Sequence, residues 1–439
     1  MSRRYVWRRG ISNMARALSI YQSITRLSSP LIRLYLKWRQ LKGKEDPARI
    51  LERFGHASCA RPEGVVWWLH ASSVGEAMSL RPLVEHIHQA APDIQILLTS
   101  GTVSSATLLG ETLPDYVIHQ YVPVDTPAAC ARFLDHWQPT LGLFTESELW
   151  PNLIVEATKR RVILALINAR MSERSARQWQ MLTDMARSLL TSFSLIAAQT
   201  AEDADRYTAL GGRDIRQLGH LKQDAEALAV DEAALASWQR MLQGRPCLVA
   251  ASFHPGEDEL LVELHQALKR DMPNLLTLLV PRHPPRGAGM AQTFKALNIK
   301  PQLRSKEPAL HDDVECYIAD TIGELGLWYR LADVAVMGGS FISHGGQNPL
   351  EAVRLDTPVI IGPSVHNFQV IVDELTAAGG IKHVTDSGLD TLLATTKHLL
   401  ADQTQRADLA KRASDWLAHS PPVAKQLTDA LLALTKEDT

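Results

Sequence analysis

A chain of 439 residues with 45% apolar and 21% charged side chains is too long for one ordinary hydrophobic core and too apolar to stay disordered, so two domains of roughly 200 residues are expected. Its 46 basic and 48 acidic side chains nearly balance, but residues 1–44 hold 11 Lys or Arg and no Asp or Glu, leaving 35 basic against 48 acidic, a net of −13, for residues 45–439. Cys59, Cys130, Cys247 and Cys316 stand far apart without a CxxC or other short metal-ligand spacing, which argues against a disulfide scaffold and fits reduced thiols in a cytosolic enzyme.

The N-terminus lacks an apolar stretch followed by a small-residue cleavage site, so export is not expected. Between Ala15 and Trp38, Leu18, Ile20, Ile24, Leu27, Leu31 and Leu34 alternate with Arg16, Arg26, Arg33 and Lys37. That mixture is too polar for a spanning helix, which needs about 20 consecutive apolar residues, and reads as an interfacial amphipathic helix on an anionic membrane surface, with Ser28–Pro30 able to break it. A helix docked on the body is the structural alternative. A nucleic-acid partner is not expected, because the basic arm carries no groove-reading motif.

Beyond the arm, short apolar runs at Val65–Leu69, Ile94–Thr99, Leu141–Thr145, Val162–Asn168 and Leu195–Gln199 are separated by helix-length stretches. A second series starts at Pro246–Ala251 and continues at Leu275–Val280, Val334–Met337 and Pro358–Gly362. This alternation predicts an α/β chain with two mainly parallel sheets, each covered by helices. The expected organisation is an arm at 1–44, a first Rossmann-like domain at 45–230 and a second at 231–439, with the last helices able to cross back.

Polar motifs follow the runs, where parallel α/β domains collect ligands. In His70-Ala-Ser-Ser-Val-Gly-Glu76, Glu76 could take a proton from an alcohol nucleophile, or could simply cap a helix start. Thr145-Glu-Ser-Glu-Leu-Trp-Pro-Asn152 adds Glu146 and Glu148, with a helix start led by Pro151 as the local alternative. In the second series Ser252-Phe-His-Pro-Gly-Glu257 precedes Pro281-Arg-His-Pro-Pro-Arg286, where Arg282 could hold a phosphate and His283 could orient the site, or both could belong to an ordinary turn. The glycines of Gly338-Gly-Ser340 and Gly345-Gly-Gln-Asn-Pro-Leu-Glu351 would let backbone amides face an anion. Neither GxxxxGK[ST] nor GxGxxG is present, so ATP hydrolysis and hydride transfer gain no support.

Taken together, HASSVGE, TESELWPN, NARMSERS at Asn168–Ser175, LGHLKQD at Leu218–Asp224, SFHPGE, PRHPPR, DTIGEL at Asp320–Leu325 and GGSFISHGGQNPLE at Gly338–Glu351, with ERFG at Glu52–Gly55, resemble the bacterial 3-deoxy-D-manno-octulosonic acid (Kdo) transferases. The resemblance implies the GT-B architecture, two Rossmann-like domains facing across a cleft, and metal-independent inverting transfer of Kdo from CMP-Kdo to a lipid A precursor at the cytoplasmic face of the bacterial inner membrane. It makes Glu76 the catalytic base and places Arg282 and His283 in the CMP pocket. Gly338, Gly339 and Ser340 would approach the donor, and Asn348 and Glu351 would hold its phosphate and ribose region. Ser252, Lys222 and Glu324 would be further pocket members. No cofactor and no metal are expected. The rival readings are another GT-B nucleotide-sugar enzyme such as an epimerase, and an inactive lipid-binding or assembly protein. His220, Phe253 and Ala352 depart from the asparagine, threonine and proline common in the family, and His220 draws attention first because a histidine can change charge near neutral pH.

Overall fold

The computed structural model describes residues 16–420 and 422–436. The chain divides after Ala225 into two compact units, and the C-terminal helix Val423–Lys436 returns to the first of them. It does so through an apolar face of Val423, Ala424, Leu427 and Leu431, which joins the first unit's core, and through its Ala424 amide, which donates to the Asp224 carboxylate.

The first unit is a seven-stranded parallel sheet of β1 Val66–Ala71, β2 Gln95–Ser100, β3 Val117–Tyr121, β4 Leu141–Thr145, β5 Ile163–Ala169, β6 Leu195–Ala198 and β7 Ile215–Gln217, in the order β3-β2-β1-β4-β5-β6-β7. All six residues of β1 are buried, as expected of a strand covered on both faces. Because side chains alternate across a strand, Trp67 and Trp68 enter two different apolar cores on opposite sides of the sheet. The strand order reverses between β1 and β4, whose ends lie level with His70 beside Phe144.

The second unit repeats the plan with β8 Cys247–Phe253, β9 Leu276–Pro281, β10 Pro301–Leu303, β11 Cys316–Ile318, β12 Val334–Met337, β13 Val359–Ile361 and β14 Lys382–His383, in the order β10-β11-β9-β8-β12-β13-β14. Its reversal falls between β8 and β12, in register at Ala251 and Met337. In each sheet, then, the first strand of the unit borders the switch point, where ligands of open α/β sheets collect. The periodicity of the sequence finds the long central strands. It misses β3, β7, β10, β11 and β14, which are short or interrupted by polar residues such as His119, Gln120 and Arg216.

Ahead of the first sheet the described part of the basic segment forms two helices, Arg16–Leu27 and Ser29–Leu41, with Pro30 in the first turn of the second, a position where its missing amide does no harm; residues 1–15 of the expected arm lie outside the described residues. Leu18 is buried in a core of the first unit, and Leu36 of the second helix is buried as well. No helix among the described residues is long and apolar enough to cross a membrane.

Candidate functional site

At the first switch point, Glu76 sits in the opening turn of the helix Val74–Ser79, whose cap is Ser73 accepting from the Glu76 amide. The Glu76 carboxylate turns back toward the end of β1. One oxygen accepts from the Ser72 amide at 2.9 Å and the Thr145 hydroxyl at 3.0 Å, and the other from the Ser72 and Ser73 hydroxyls at 2.9 and 2.8 Å. The Thr145 hydroxyl has a single hydrogen and lies equally near the His70 carbonyl, at 2.9 Å, so that hydrogen is shared between the carbonyl and the Glu76 carboxylate. Thr145 ends β4, so strands on both sides of the switch point hold the same carboxylate.

Glu148 joins from the loop after β4, with one oxygen 2.9 Å from the Ser72 hydroxyl and the other accepting from the Trp150 indole. Burial pushes its carboxyl above the usual range, against the pull of those two donors. Glu146 is also pushed up, by burial and then by the Glu76 charge, with Lys222 and Arg170 opposing. Its backbone takes the left-handed conformation, φ 53°, which a non-glycine residue adopts at some cost. The loop is stapled from behind: Asp125 caps the helix Pro151–Lys159 at Asn152 and Leu153 and accepts from Tyr21 at 2.9 Å, while Asn152 donates to Thr25. The N-terminal helix is thus wired into the scaffold of the acidic loop.

Lys222 lies in this first unit, in the short turn Leu221–Asp224, where its charge bears on Glu146. His220 caps that turn by accepting the Lys222 amide on Nδ1 at 3.1 Å. A charge change near neutral pH does not occur here, because burial, with Lys222 and Arg170 behind it, pushes His220 down to about 3. A neutral imidazole does here what an asparagine side-chain oxygen does at a cap.

At the second switch point β8 bulges at Ser252, which has φ 59°, and its pairing with β9 shifts there. Gly338 packs against that bulge so closely that a Cβ would meet Ser252 O at 2.5 Å. The expectation that this glycine turn offers its amides to a bound anion needs correction. Glu257, 1% exposed, accepts from the amides of Gly339 at 2.9 Å, Phe341 at 3.2 Å and His254 at 2.8 Å. The Gly339 amide and the Phe341 amide just after the turn are therefore held by a carboxylate of the chain itself, and the Gly338 amide donates to Ala251 O. The Ser340 hydroxyl is likewise taken, donating to Met337 O and accepting from the Gly362 amide, so Ser340 joins β12 to the end of β13.

What the second unit does present is basic. Arg282 and His283 are exposed at the end of β9, and among the described residues Arg282 makes none of the ion pairs found. Arg286, by contrast, is tied to Asp258 at 2.6 Å. The His254 ring lies 3.9 Å from that of His344, centre to centre, and bonds Gln347 at 2.9 Å. Burial, with His344 and Arg282 next, pushes His254 down to about 4. Asn348 accepts the Leu350 amide at 3.1 Å, opening the short helix Leu350–Val353 that carries Glu351. Glu324 stands apart from this group in its bonding: Arg304 grips both its oxygens, at 2.6 and 3.1 Å, and holds its carboxyl below the usual range. Sequence reasoning passed over His254, His344 and Gln347, and the only signal for them was their place inside motifs already marked. Among the described residues, no group of three or more His, Cys, Asp or Glu is placed to hold a metal ion.

A family model described as 3-deoxy-D-manno-octulosonic-acid transferase (kdotransferase) matches residues 48–225. The chain is 34% identical over 420 residues to the 3-deoxy-D-manno-octulosonic acid transferase of Haemophilus influenzae, covering 94% of this chain and 97% of that one. It is 35% identical over 404 residues to the probable mitochondrial 3-deoxy-D-manno-octulosonic acid transferase of Arabidopsis thaliana, covering 90% of each. Among solved structures, the UDP-GlcNAc 2-epimerase of Neisseria meningitidis bound to UDP-GlcNAc aligns over 84% of this chain and all of that one with a TM-score of 0.57, at 12% identity; that likeness is one of fold alone. With two parallel α/β units of the GT-B kind and relatives matched along nearly its whole length, the chain belongs to the 3-deoxy-D-manno-octulosonic acid transferase family.

Proposed function

We propose that this chain moves Kdo from CMP-Kdo onto a hydroxyl of a lipid A precursor in one inverting step, with Glu76 as general base. The acceptor oxygen attacks the anomeric carbon, its proton passes to the Glu76 carboxylate, and CMP departs with the bonding electrons. The single observation that carries the reading is the Glu76 carboxylate itself, set at the first switch point by the Ser72 amide and the Ser72, Ser73 and Thr145 hydroxyls, where a carboxylate can take a proton from an acceptor hydroxyl.

The second unit takes the donor. Arg282 supplies a positive charge to the phosphate of CMP, whose negative charge grows as the bond to the sugar breaks, so its attraction is greater in the transition state than in the ground state. His283 joins it, and Asn348 and Glu351 hold the ribose side. Ser252, Gly338, Gly339 and Ser340 shape the wall, while Glu257 fixes that wall from within. Lys222 serves the first site by offsetting the charge of Glu146, and Glu324 acts through its pairing with Arg304.

The N-terminal helices rest on the anionic surface of the cytoplasmic face of the inner membrane, where the acceptor's acyl chains are anchored. Leu27, Leu31 and Leu41 are 80%, 69% and 80% exposed, close to Arg26, Arg33, Lys37 and Lys42, a pairing of apolar and basic groups suited to the headgroup boundary. The test is mass spectrometry of purified protein incubated with CMP-Kdo and lipid A precursor. Kdo-bearing lipid is the expected product; free Kdo or a rearranged donor without transfer would support an epimerase-like enzyme, and no turnover an assembly protein.

A further inference from the structure

The Ser72 hydroxyl lies 2.9 Å from Oε1 of Glu76 and 2.9 Å from Oε1 of Glu148, yet it has one hydrogen to give. If both carboxyl groups were ionised, one of those contacts would set lone pair against lone pair. A single extra proton resolves the conflict: the acid on one side donates to Ser72, and Ser72 donates to the carboxylate on the other. The remaining partners give the direction. Glu76 also accepts from the Ser72 amide and Ser73, two donors besides a Thr145 hydrogen shared with the His70 carbonyl, whereas the second oxygen of Glu148 accepts from the Trp150 indole alone.

We propose that Glu148 works as a protonated positioning residue, donating through Ser72 so that the Ser72 hydrogen stays on Glu76 and holds it ionised and aimed. This rests on the reading of Glu76 as the base. During transfer the acceptor's proton goes to Glu76 and Glu148 keeps its own. The surroundings agree. The burial that pushes the Glu148 carboxyl up is assisted by the charge of Glu76, facing it from the helix Val74–Ser79. Glu146 adds negative charge from the same loop, offset by Arg170 and Lys222. From β1, His70 is fully buried with Nε2 lacking a hydrogen-bond partner, 3.9 Å from Glu148 Oε2. Burial pushes that imidazole down to about 3, so no cation there compensates an ionised Glu148.

Infrared difference spectra of the full-length wild type against Glu148→Gln, without substrates at neutral pH, test the proton directly and independently of transfer. A protonated-carboxyl carbonyl band present in the wild type and absent from the variant is expected; no such difference would overturn the proposal. Kinetics test the positioning. Glutamine keeps a donor for Ser72 and an acceptor for Trp150, so Glu148→Gln should transfer within about threefold of wild type, while Glu148→Ala should fall by about 100-fold, the scale of a displaced catalytic group. The wild type should also lose activity on the alkaline side as Glu148 ionises, and Glu148→Gln should not. Equal losses in the two variants, no loss in the alanine variant, or an unchanged alkaline limb in the glutamine variant would each contradict the assignment.

Discussion

Both units place a Gly-Glu pair just past their first strand, Gly75-Glu76 after β1 and Gly256-Glu257 after β8, and the two glutamates do opposite things. Glu76 is partly exposed and held mainly by hydroxyls, Ser72, Ser73 and Thr145, with one backbone amide. Glu257 is buried and held by three backbone amides. Hydroxyls can turn and re-pair as a proton arrives, so the first arrangement suits chemistry. Amides cannot, so the second suits a scaffold. The same fold and the same local motif thus give a part-exposed, hydroxyl-held carboxylate in one unit and a buried, amide-held one in the other. The charge around them follows: Glu146 and Glu148 crowd the first, whereas Arg282, His283, His254 and His344 gather at the second.

The comparison breaks most visibly at Glu257. Glu257→Ala would leave buried amides of Gly339, Phe341 and His254 unsatisfied, and unfolding by denaturant should register a loss of about 3–5 kcal/mol, with CMP binding lost as well. A near-wild-type midpoint would show that Glu257 is no scaffold. Arg282→Ala should fold normally and raise the CMP-Kdo concentration needed for half-maximal transfer by roughly 10- to 100-fold, as expected for one charge-assisted contact; a donor titration matching wild type would remove Arg282 from the site.

A smaller effect concerns the membrane surface. Because Leu18 is buried and Tyr21 bonds Asp125, deleting the whole arm would damage the first unit, so exposed positions are the cleaner probe. Replacing Leu27, Leu31 and Leu41 by Ser should reduce flotation with anionic liposomes, most clearly at high salt where charge attraction is screened, and leave CMP binding unchanged. Flotation equal to wild type across the salt series would place the membrane contact elsewhere.

The smallest effect is on acid stability. The folded values of His70 and His220 both lie near 3, below the ordinary 6.5. As pH falls below about 6.5 the unfolded chain therefore takes up protons first, and stability, complete above that pH, declines toward pH 3. His220→Asn keeps a cap for the Leu221–Asp224 turn and removes one of these groups, so its stability should fall less between pH 7 and 5. Parallel curves for the two proteins would mean that His220 is not held neutral.

The central strands and the motifs at their ends were legible because buried parallel strands read as continuous apolar runs and reactive groups follow them directly. The edge strands were not, since β7 and β10 have three residues each and little apolar content to mark them. At the sites, residue type was legible and hydrogen-bond direction was not. Nothing in Gly338-Gly-Ser340 tells that the Gly339 amide is taken by Glu257, nor in LGHLKQD that His220 is a neutral cap, because those facts depend on a contact across 82 residues in one case and on burial in the other. Nor could spacing show that Ser72 bridges Glu76 to a residue 76 positions away.

The proposed role of Glu76 as base, where Glu257 is a scaffold, is reached most directly by one paired measurement: denaturant unfolding, CMP binding and mass-spectrometric transfer for Glu76→Gln beside wild type. The amide keeps the size and removes the base, so unfolding and CMP binding should match wild type while transfer falls by about 100- to 10,000-fold. A Glu76→Gln protein that folds, binds CMP and still transfers Kdo at the wild-type rate would contradict the account.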